Sequence, residues 1–517
     1  MNTPRRLIVV LGDQLDRNGP LLDNIDPQRD AVWMAESVSE PTGGAVHQQR
    51  LVLYFAAMRH LRDELRERGV TVHYHAADDA DSPAAIDGPA GRLAADLQRL
   101  QPETVALMEA GDWSIEQALC DVVAAAEATL EWHRDSHFLA SREAFQKWAE
   151  GRKSLTMEYF YRSMRKRHDV LMDGDKPSGG AWNFDKDNRA AFGPAGPGEL
   201  PAHPAFEPDA ITRGVIDMVH QRYGDHPGDA ADFNQPVTPD QAQIALDDFI
   251  RYRLPEFGTW QDAIWVGEPL LYHARLSTSL NLHLLDPRAC LERAEAAFTA
   301  GDAPLNAVEG FVRQILGWRE FIRGVYWLRM PEYADLNALD HQADLPSFFW
   351  DGQTDMACVA DAMSALLRHG YAHHIQRLMV LGLFAQLYGA HPYAFHEWHM
   401  ALYLDSADWV SLPNALGMSQ FGDGGVVGTK PYCASGAYID RMSNACGQCR
   451  YNPKEAVGEK ACPFTTFYWD FLDRHEDQLA GNRRLQFQYR NLQRKTDDQR
   501  AAIRRQAETL RARMGTT

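Results

Sequence analysis

The sequence predicts an N-terminal α/β domain with a five-stranded, parallel, doubly wound sheet, then a long connector and a large all-α domain. Two observations support this fold class. Early in the chain, short apolar or β-branched runs alternate with helical stretches, and the runs cover residues 7–11, 31–34, 70–74, 104–108 and 130–133. Strands separated by crossover helices pair in parallel. Beyond residue 236, apolar residues recur every three or four positions nearly to the end, which is typical of helices.

These changes of pattern predict three parts of the chain. We expect an α/β domain over residues 1–137, a connector over 138–236 and a helical domain over 237–517. The connector is expected to be irregular, because prolines and glycines crowd between residues 177 and 201. A chain of 517 residues, 45% of them hydrophobic, is long enough for two or three domains with full cores.

The end of the first predicted strand is where a parallel sheet would bind a ligand. It carries Gly12-Asp13-Gln14, which is not the glycine pattern of a dinucleotide fold, and the sequence holds no Walker motif. Residues 422–428 are rich in glycine, but no strand leads into them, so we interpret them as a loop. A nicotinamide or nucleoside triphosphate site therefore has no local support.

Charge is unevenly distributed. The net charge of −19 argues against indiscriminate binding to nucleic acid, but charges act over roughly 10 Å, so local excesses matter. Residues 151–167 hold six basic side chains and one acid, interleaved with Tyr159, Phe160 and Tyr161. Residues 481–514 hold ten basic side chains and three acids, in a predicted terminal helix. Either stretch can contact phosphates, or simply be a solvated helix face.

No apolar run is long enough to span a membrane, and the N-terminal run is too short for a signal peptide. We therefore expect a cytoplasmic protein that does not bind membranes. The chain has seven cysteines, an odd number with most of them near one end, which favours metal binding over a disulfide framework.

Five of those thiols compete for one metal site. Cys446 and Cys449 form a C-x-x-C pair, and Cys462 precedes a proline. Such a set is typical of zinc or an iron–sulfur cluster. The fourth ligand is either the distant Cys358 or Cys433, which lies as far before Cys446 as Cys462 lies after Cys449. Spacing alone leaves both open, and buried structural cysteines are the alternative.

A predicted helix from Tyr371 to Tyr388 carries His373, His374 and Arg377. The last two lie three residues apart and share a face. His374 is a candidate proton donor or acceptor, and Arg377 is a candidate for binding a carboxylate or phosphate. A pair of hydrogen-bonded interface histidines is the alternative.

Several longer segments resemble a known family. They are LGDQL at 11–15, GRKSLTMEYFYR at 151–162, LNAVEGFVRQILGWREFIRG at 305–324, YAHHIQRLM at 371–379, WVSLPNALGMSQF at 409–421 and GTKPY at 428–432. Together with the cysteines they resemble the bacterial iron–sulfur photolyases, which are the prokaryotic (6-4) photolyases and related cryptochromes of the photolyase superfamily. The similarity runs nearly end to end. It implies a DNA photolyase, a carbon–carbon lyase, that repairs (6-4) photoproducts in UV-damaged DNA, and we expect a monomer.

The resemblance implies FAD in the helical domain. It places the loop Arg275-Leu276-Ser277 at the flavin phosphates, and pairs Asp405 with Arg377. It also puts Ser411 beside flavin N5, where the family often has glutamate; a hydroxyl cannot protonate N5 as an acid would. The other flavin residues that it implies are Gln314, Trp318, Tyr371 and His374.

The resemblance also implies the residues that act on DNA. His374, with His373 behind it, is expected to move a proton to the lesion. The side chains expected at the lesion or the DNA are Asp185, Arg189, Tyr432, Lys153 and Arg162, and Asp185 is expected to attract Mg²⁺.

Electron transfer and light harvesting have implied sites as well. Trp398 and Trp350 match the family's aromatic relay, with His399 at the intermediate position. The α/β domain is expected to hold an antenna, 6,7-dimethyl-8-ribityllumazine, near Gly12, Asp13, Glu40 and Tyr54. Ala35 and Tyr54 differ from the residues expected in the family.

For the cysteines, the resemblance implies a [4Fe–4S] cluster on Cys358, Cys446, Cys449 and Cys462. Cys433 is then not a ligand. The cluster would join two distant parts of the helical domain, as a structural brace.

Two other functions remain compatible with the sequence. One is a blue-light photoreceptor of the same fold that repairs little, which Ser411 and His399 keep open. The other is a non-photochemical iron–sulfur protein that binds DNA, which would lack flavin.

Overall fold

The computed structural model describes residues 3–37, 45–78 and 88–515. Its N-terminal part is built on one five-stranded sheet. The strands are β1 (Arg6–Val9), β2 (Asp30–Ala35), β3 (Thr71–His75), β4 (Thr104–Met108) and β5 (Thr129–His133). They lie in the order β3-β2-β1-β4-β5, and every pairing is parallel. The predicted fold class is confirmed, and each strand begins and ends within two residues of the predicted run.

The central strands β1, β2 and β4 are buried on both faces of the sheet, whereas the edge strands β3 and β5 are partly exposed. The helices that cover the sheet are α1 (Gln48–Glu67), α2 (Gly88–Leu100) and α3 (Trp113–Ala125). Leu7 and Val9 pack with residues of α2 and α3, whereas Ile8 and Val10 face α1 and the core that continues into the helical part. Burial on both faces explains why the central strands appear in the sequence as continuous apolar runs.

The segment predicted to be an irregular connector contains three helices. They are α4 (Arg142–Ala149), α5 (Met157–His168) and α6 (Ala210–Arg222). Only the stretch between α5 and α6 is largely irregular, with a short hairpin of β6 (Met172–Asp173) and β7 (Lys176–Pro177). Prolines and glycines interrupt regular secondary structure there, whereas the flanking residues retain helical periodicity.

The rest of the chain is helical, as predicted. Its helices are α7 (Pro239–Tyr252), α8 (Leu254–Trp260), α9 (Ser277–Asn281), α10 (Pro287–Ala300), α11 (Leu305–Val312), α12 (Glu320–Arg329), α13 (Phe348–Asp351), α14 (Ala357–His369), α15 (His374–Gln376), α16 (Leu383–Tyr388), α17 (Pro392–Leu402), α18 (Asp408–Leu412), α19 (Gly436–Met442), α20 (Pro463–Arg474), α21 (Glu476–Leu479), α22 (Gln486–Leu492) and α23 (Asp497–Met514). Within the described ranges, every helix falls short of the length or apolar character that crossing a bilayer requires. The glycine-rich residues 422–428 form a loop, as predicted.

Three π-helical segments interrupt this helical part. One joins α11 to α12 (Arg313–Arg319), one joins α15 to α16 (Arg377–Gly382), and one extends α18 (Pro413–Ser419). The second and third meet at Gly382, where a methyl group would come within 2.1 Å of Ser419 Oγ. Such segments often occur at functional sites, and these three carry or adjoin residues that the sequence assigned to the flavin.

Two helix predictions need correction. The helix expected from Tyr371 begins at His374, so Tyr371 lies outside it. The expected single terminal helix is a short 3₁₀ turn (Arg483–Leu485), α22 and α23. Thr496 separates the last two, because its hydroxyl accepts a hydrogen bond from the Gln499 amide and caps α23.

Candidate functional site

Arg377 and Asp405 form an ion pair inside the helical part. The two Nη atoms donate to the two carboxylate oxygens at 2.9 and 3.1 Å, and Ser277 Oγ donates to the same carboxylate at 2.6 Å. Arg377 Nε donates to the Ala372 carbonyl at 2.6 Å, and the guanidinium lies 4.1 Å from the centre of the Tyr403 ring. Burial alone would raise the pKa of Asp405, but the charge and hydrogen bonds of Arg377 outweigh burial and lower it. The pair is therefore a fixed, charged feature.

Two of the residues that the sequence assigned to the flavin, Tyr371 and His374, lie close enough to this pair for the charge of Arg377 to act on them. We call this site the recess. Gln314 and His374 are exposed to solvent, and Trp318, Tyr371, Arg377 and Asp405 are half-buried. Crowding by surrounding protein nevertheless lowers the pKa of His374, and the charge of Arg377 lowers it further. We infer an open recess because His374 is crowded on all sides and still reached by solvent.

Hydroxyl groups that the sequence analysis missed lie beside Ser277. Leu276 is buried and Ser277 is half-buried at the start of α9. Thr278 Oγ1 and Ser279 Oγ, next along the chain, are buried and have no hydrogen-bond partner among the described residues. An unpaired buried hydroxyl costs roughly 1 to 3 kcal/mol, so two neighbours indicate a polar group that binds there. The consecutive hydroxyl residues Ser277, Thr278 and Ser279 were the sequence signal that could have identified this part of the site. Ser411 is also buried, on α18.

His373 lies behind His374 and is almost completely buried. Its ring stacks on that of His273, with 4.6 Å between the centres and 11° between the planes. Burial lowers the pKa of His373 well below its usual value, and lowers that of His273 to about 3. Both rings are therefore neutral near pH 7. His273 was missed because it lies about 100 positions away in the sequence.

The predicted relay residues occupy a dense aromatic cluster. The ring of Trp398 lies 5.1 Å from Phe349, 5.3 Å from His399 and 5.7 Å from Tyr403. Trp350, next to Phe349 in the chain, is 44% exposed. His399 stacks on Tyr403 at 4.5 Å, so it lies on the recess side of Trp398. Rings thus follow one another from Phe349 through Trp398 to Tyr403, beside Arg377.

Four thiols line one small cavity. They are Cys358, Cys446, Cys449 and Cys462. Cys433 is not among the lining residues. Gly436 is needed at the wall, because a methyl group there would lie 2.9 Å from the Cys462 sulfur. Within the described residues, no group of three or more potential ligands closes around a single metal ion.

Three predicted lesion residues lie together at a surface that we call the rim. Asp185 forms ion pairs with Arg189 and, at 3.7 Å, with Arg313. Burial raises the pKa of Tyr432, and the negative charges of Asp185 and Asp262 raise it further. Burial likewise raises the pKa of Asp262 to about 6, with a further contribution from Asp185. Sequence analysis missed Arg313 and Asp262, because nothing local marks them.

The first basic stretch adjoins the rim through α5. Lys153 is exposed, and Arg162 donates to Glu158 at 2.9 Å. Asn183, two residues before Asp185, donates to the same carboxylate at 3.2 Å. Tyr159 on this helix is 58% exposed. The helix therefore presents cations and an aromatic ring next to the rim.

A second pocket lies at the carboxyl end of the sheet. Gly12, Asp13 and Tyr54 line it, as does Arg50, which the sequence analysis did not find. Burial raises the pKa of Asp13 to about 7, assisted by neighbouring carboxylates. Glu40, also expected there, lies outside the described residues.

Comparison with known proteins places this architecture in one class. A family model described as deoxyribodipyrimidine photo-lyase-related protein matches residues 8–235. Two solved structures share the fold. A bacterial class III photolyase from Agrobacterium tumefaciens has a TM-score of 0.56 at 15% identity, covering 100% of this chain and 99% of that one. A cryptochrome from Synechocystis sp. PCC6803 has a TM-score of 0.52 at 12% identity, covering 81% and 83%. The fold is that of photolyases and cryptochromes.

A closer relative defines the family. A (6-4) photolyase from Agrobacterium fabrum is 44% identical over 503 residues, which cover 97% of this chain and 98% of that protein. The chain therefore belongs to the photolyase family. Membership implies a flavin cofactor and a DNA substrate.

Proposed function

We propose that this protein repairs (6-4) pyrimidine–pyrimidone photoproducts in UV-damaged DNA in a light-dependent reaction. The identity to a (6-4) photolyase over nearly the whole chain supports this function. The observation that carries it is the position of His374. This histidine is exposed to solvent in a recess, next to the Arg377–Asp405 ion pair. A proton donor or acceptor is thus available where a damaged base can enter.

FAD is the cofactor that this recess fits. The Arg377 guanidinium can stabilise a negatively charged flavin ring, and Asp405 fixes its orientation. The unpaired hydroxyls of Thr278 and Ser279 suit phosphate oxygens, which accept hydrogen bonds. Reduced FAD, when bound, absorbs blue light and supplies the electron that reaches the lesion. The protein's own residues bind, orient and transfer protons.

His374 and His373 have different roles in the proposal. His374 contacts the open recess and exchanges a proton with the lesion through a ring nitrogen. Its neutral state near pH 7 makes it an acceptor before it becomes a donor. His373 and the stacked His273 support it from behind as uncharged rings. A second positive charge next to Arg377 would be unfavourable there.

We infer that the four-thiol cavity holds a [4Fe–4S] cluster. Four thiols line one cavity. Four cysteine thiolates are the ligand set of a [4Fe–4S] cluster. Bound thiolates from α14 and from residues 446–462 would brace distant parts of the chain.

The pocket at the sheet is the proposed antenna site, with 6,7-dimethyl-8-ribityllumazine as the ligand. Its wall combines apolar surface with Asp13, Tyr54 and Arg50, and an uncharged ring with a hydroxylated side chain suits that mixture. Asp13 can donate a hydrogen bond when protonated and accept one when ionised. A pKa near 7 makes both states accessible.

The rim is the proposed contact with damaged DNA. Arg189 and Tyr432 belong to the rim, and Lys153 and Arg162 extend the basic surface along α5. Mg²⁺ usually binds through one or two carboxylates together with phosphates and water. Asp185 and the nearby Asp262 supply the carboxylates, and the DNA would supply a phosphate. Flipping a damaged base costs less than flipping an intact one, which gives selectivity without reading sequence.

A blue-light photoreceptor function is the second candidate. Ser411 favours it, because a hydroxyl replaces the acid expected beside flavin N5. The shared fold with a cryptochrome is compatible with it.

Repair of a defined oligonucleotide distinguishes the two functions. We would illuminate flavin-loaded protein with a duplex that contains one (6-4) photoproduct, and quantify restored pyrimidines by chromatography. Wild type should repair in light and not in darkness. His374→Ala should lose at least about 100-fold in rate, the range of one acid–base group. His220→Ala, which alters an exposed histidine on α6, should match wild type. Absence of repair by flavin-loaded wild type would favour the photoreceptor.

A further inference from the structure

The basic C-terminal stretch divides into two halves with different partners. In α23, arginines form ion pairs with acids near α20 and α21. Arg500 donates to Asp473 at 3.1 Å and to Glu476 at 2.8 Å, and Arg504 donates to Asp473 at 2.7 Å. Arg511 donates to Asp470 at 2.5 Å. This half of the stretch neutralises acids of its own chain, so little of its charge remains for a partner.

The arginines at positions 483–490 have no carboxylate partners of this kind among the described residues. Arg483, Arg484 and Arg490 are exposed, and none of them pairs with a carboxylate among the described residues. Between them lies Phe487, which is 68% exposed and is the most exposed large hydrophobic side chain of the described chain. We call these four residues the Phe487 stripe. An exposed aromatic ring among unpaired arginines is typical of nucleic-acid surfaces.

Buried side chains anchor the segment that carries the stripe. Leu485, Tyr489 and Leu492 lie on the opposite side of the segment and are buried. Tyr489 also donates its hydroxyl hydrogen to the His475 carbonyl at 3.1 Å. Residues 483, 487 and 490 recur at helical spacing, so their side chains lie on one face. The exposed position of Phe487 is thus set by a packed helix.

The stripe adjoins the rim. Asn482 donates a side-chain hydrogen bond to the Thr429 carbonyl, at 3.4 Å, three residues before Tyr432. Arg484 is close enough for its charge to act on the Tyr432 hydroxyl. The second most exposed aromatic ring, Tyr159, lies on α5, which adjoins the rim through Asn183. Two separate elements therefore present rings and cations next to the rim.

We propose that the Phe487 stripe binds the DNA that flanks the damaged site. Arg483, Arg484 and Arg490 contact backbone phosphates, and Phe487 packs against a base or sugar uncovered next to the lesion. The inference rests on the proposed function, because the rim is where damaged DNA enters. A polyanion fits the stripe for a specific reason: the chain carries a net charge of −19, and three unpaired arginines here concentrate positive charge at one place.

Salt-dependent binding tests the proposal. Dissociation constants would be measured in the dark, for duplexes with and without a (6-4) photoproduct, between low and moderate salt. The double change Arg483→Gln and Arg484→Gln should weaken binding to both duplexes. It should also reduce the slope of log K against log salt by up to about 2, since each lost phosphate contact removes about 0.9. Arg505→Gln, which removes one exposed cation of α23, is the control and should bind as wild type does.

The role of Phe487 has its own readout. Phe487→Ala should weaken binding about tenfold while keeping the salt slope, because the lost contact is uncharged. Phe487→Trp should retain affinity. All variants change exposed side chains and should unfold at the wild-type temperature.

The outcomes separate this inference from the proposed function. If wild type binds and repairs the damaged duplex, but the stripe variants keep its affinity and slope, the inference is wrong and the function stands. If wild type binds DNA without repairing it, the function is wrong, and weaker binding by the variants still supports the stripe. If wild type binds neither duplex, both are wrong.

Discussion

The indole of Trp398 donates a 2.5 Å hydrogen bond from Nε1 to the Phe349 carbonyl. This bond ties the buried indole to the residue that precedes the exposed Trp350. On its other side, Trp398 contacts Tyr403, whose ring lies under Arg377. One hydrogen bond therefore fixes the middle of an aromatic path between Phe349 and the recess.

Trp398→Phe should slow photoreduction of the flavin by at least about tenfold. Phenylalanine keeps much of the ring packing but is far harder to oxidise than indole, so the path is interrupted while the fold is kept. The measurement is the rate of flavin bleaching under blue light with an external reductant. Trp132→Phe, at an exposed indole on β5, is the control. An unchanged rate in Trp398→Phe would remove this residue from the path.

Asp405→Asn should destabilise the protein by about 2 kcal/mol, because it leaves the partly buried Arg377 without its counter-charge. It should also reduce the amount of flavin that copurifies, since Arg377 loses its orientation. Thermal unfolding and the flavin absorbance report the two effects. Asp240→Asn is the matched control, because Asp240 pairs with Arg17 at 2.9 Å on the surface, where such pairs contribute little. Equal effects of both changes would contradict a special role for Asp405.

Cys358→Ser and Cys433→Ala should behave in opposite ways. The first removes a sulfur from the four-thiol cavity, and should reduce the iron content and the thermal stability of the purified protein. The second changes a thiol outside that cavity, and should leave the iron content close to that of wild type. Iron analysis and absorption spectra measure both. If Cys433→Ala lost iron and Cys358→Ser kept it, the fourth ligand would be Cys433 and not Cys358.

DNA binding should weaken as pH rises through about 6. The pKa of Asp262 is raised to about 6, so below that pH its carboxyl group is mainly neutral, and above it the group carries a negative charge that repels phosphate. Wild type should therefore bind a damaged duplex more tightly at pH 5.5 than at pH 7.5, in the absence of Mg²⁺. Asp262→Asn should remove this difference. An equal pH dependence in both proteins would assign it to another group.

Local patterns predicted much of the architecture. The five strands are short apolar or β-branched runs, and the three central ones are buried on both faces, so each run can be recognised from its own residues. Helical periodicity was equally visible beyond residue 236. Prediction was wrong at the start of the helix near Tyr371, because His373 caps the helix there and its amide donates to the Gln376 side chain at 3.3 Å. It was also wrong about the continuous terminal helix, because the cap at Thr496 competes with helix continuation.

The sites were predicted less completely, for a physical reason. Motifs that resemble a family identified Arg377, Asp405, His374 and the thiols. No local signal marked His273 or Asp262. His273 contacts His373, and Asp262 lies near Asp185, and both partners are distant in the sequence. The π segments were also invisible, because one extra residue in a helical turn hardly changes an apolar pattern.

By itself, the sequence determined the fold class and the family, because each depends on residue patterns at short spacing or on recognisable motifs. Tertiary structure alone decided which arginines remain free. Arg500, Arg504 and Arg511 of α23 are neutralised by acids of α20 and α21, whereas Arg483, Arg484 and Arg490 have no carboxylate partner among the described residues. Composition counts all of them alike, but only long-range packing determines which charges meet a counter-charge and which remain available for DNA.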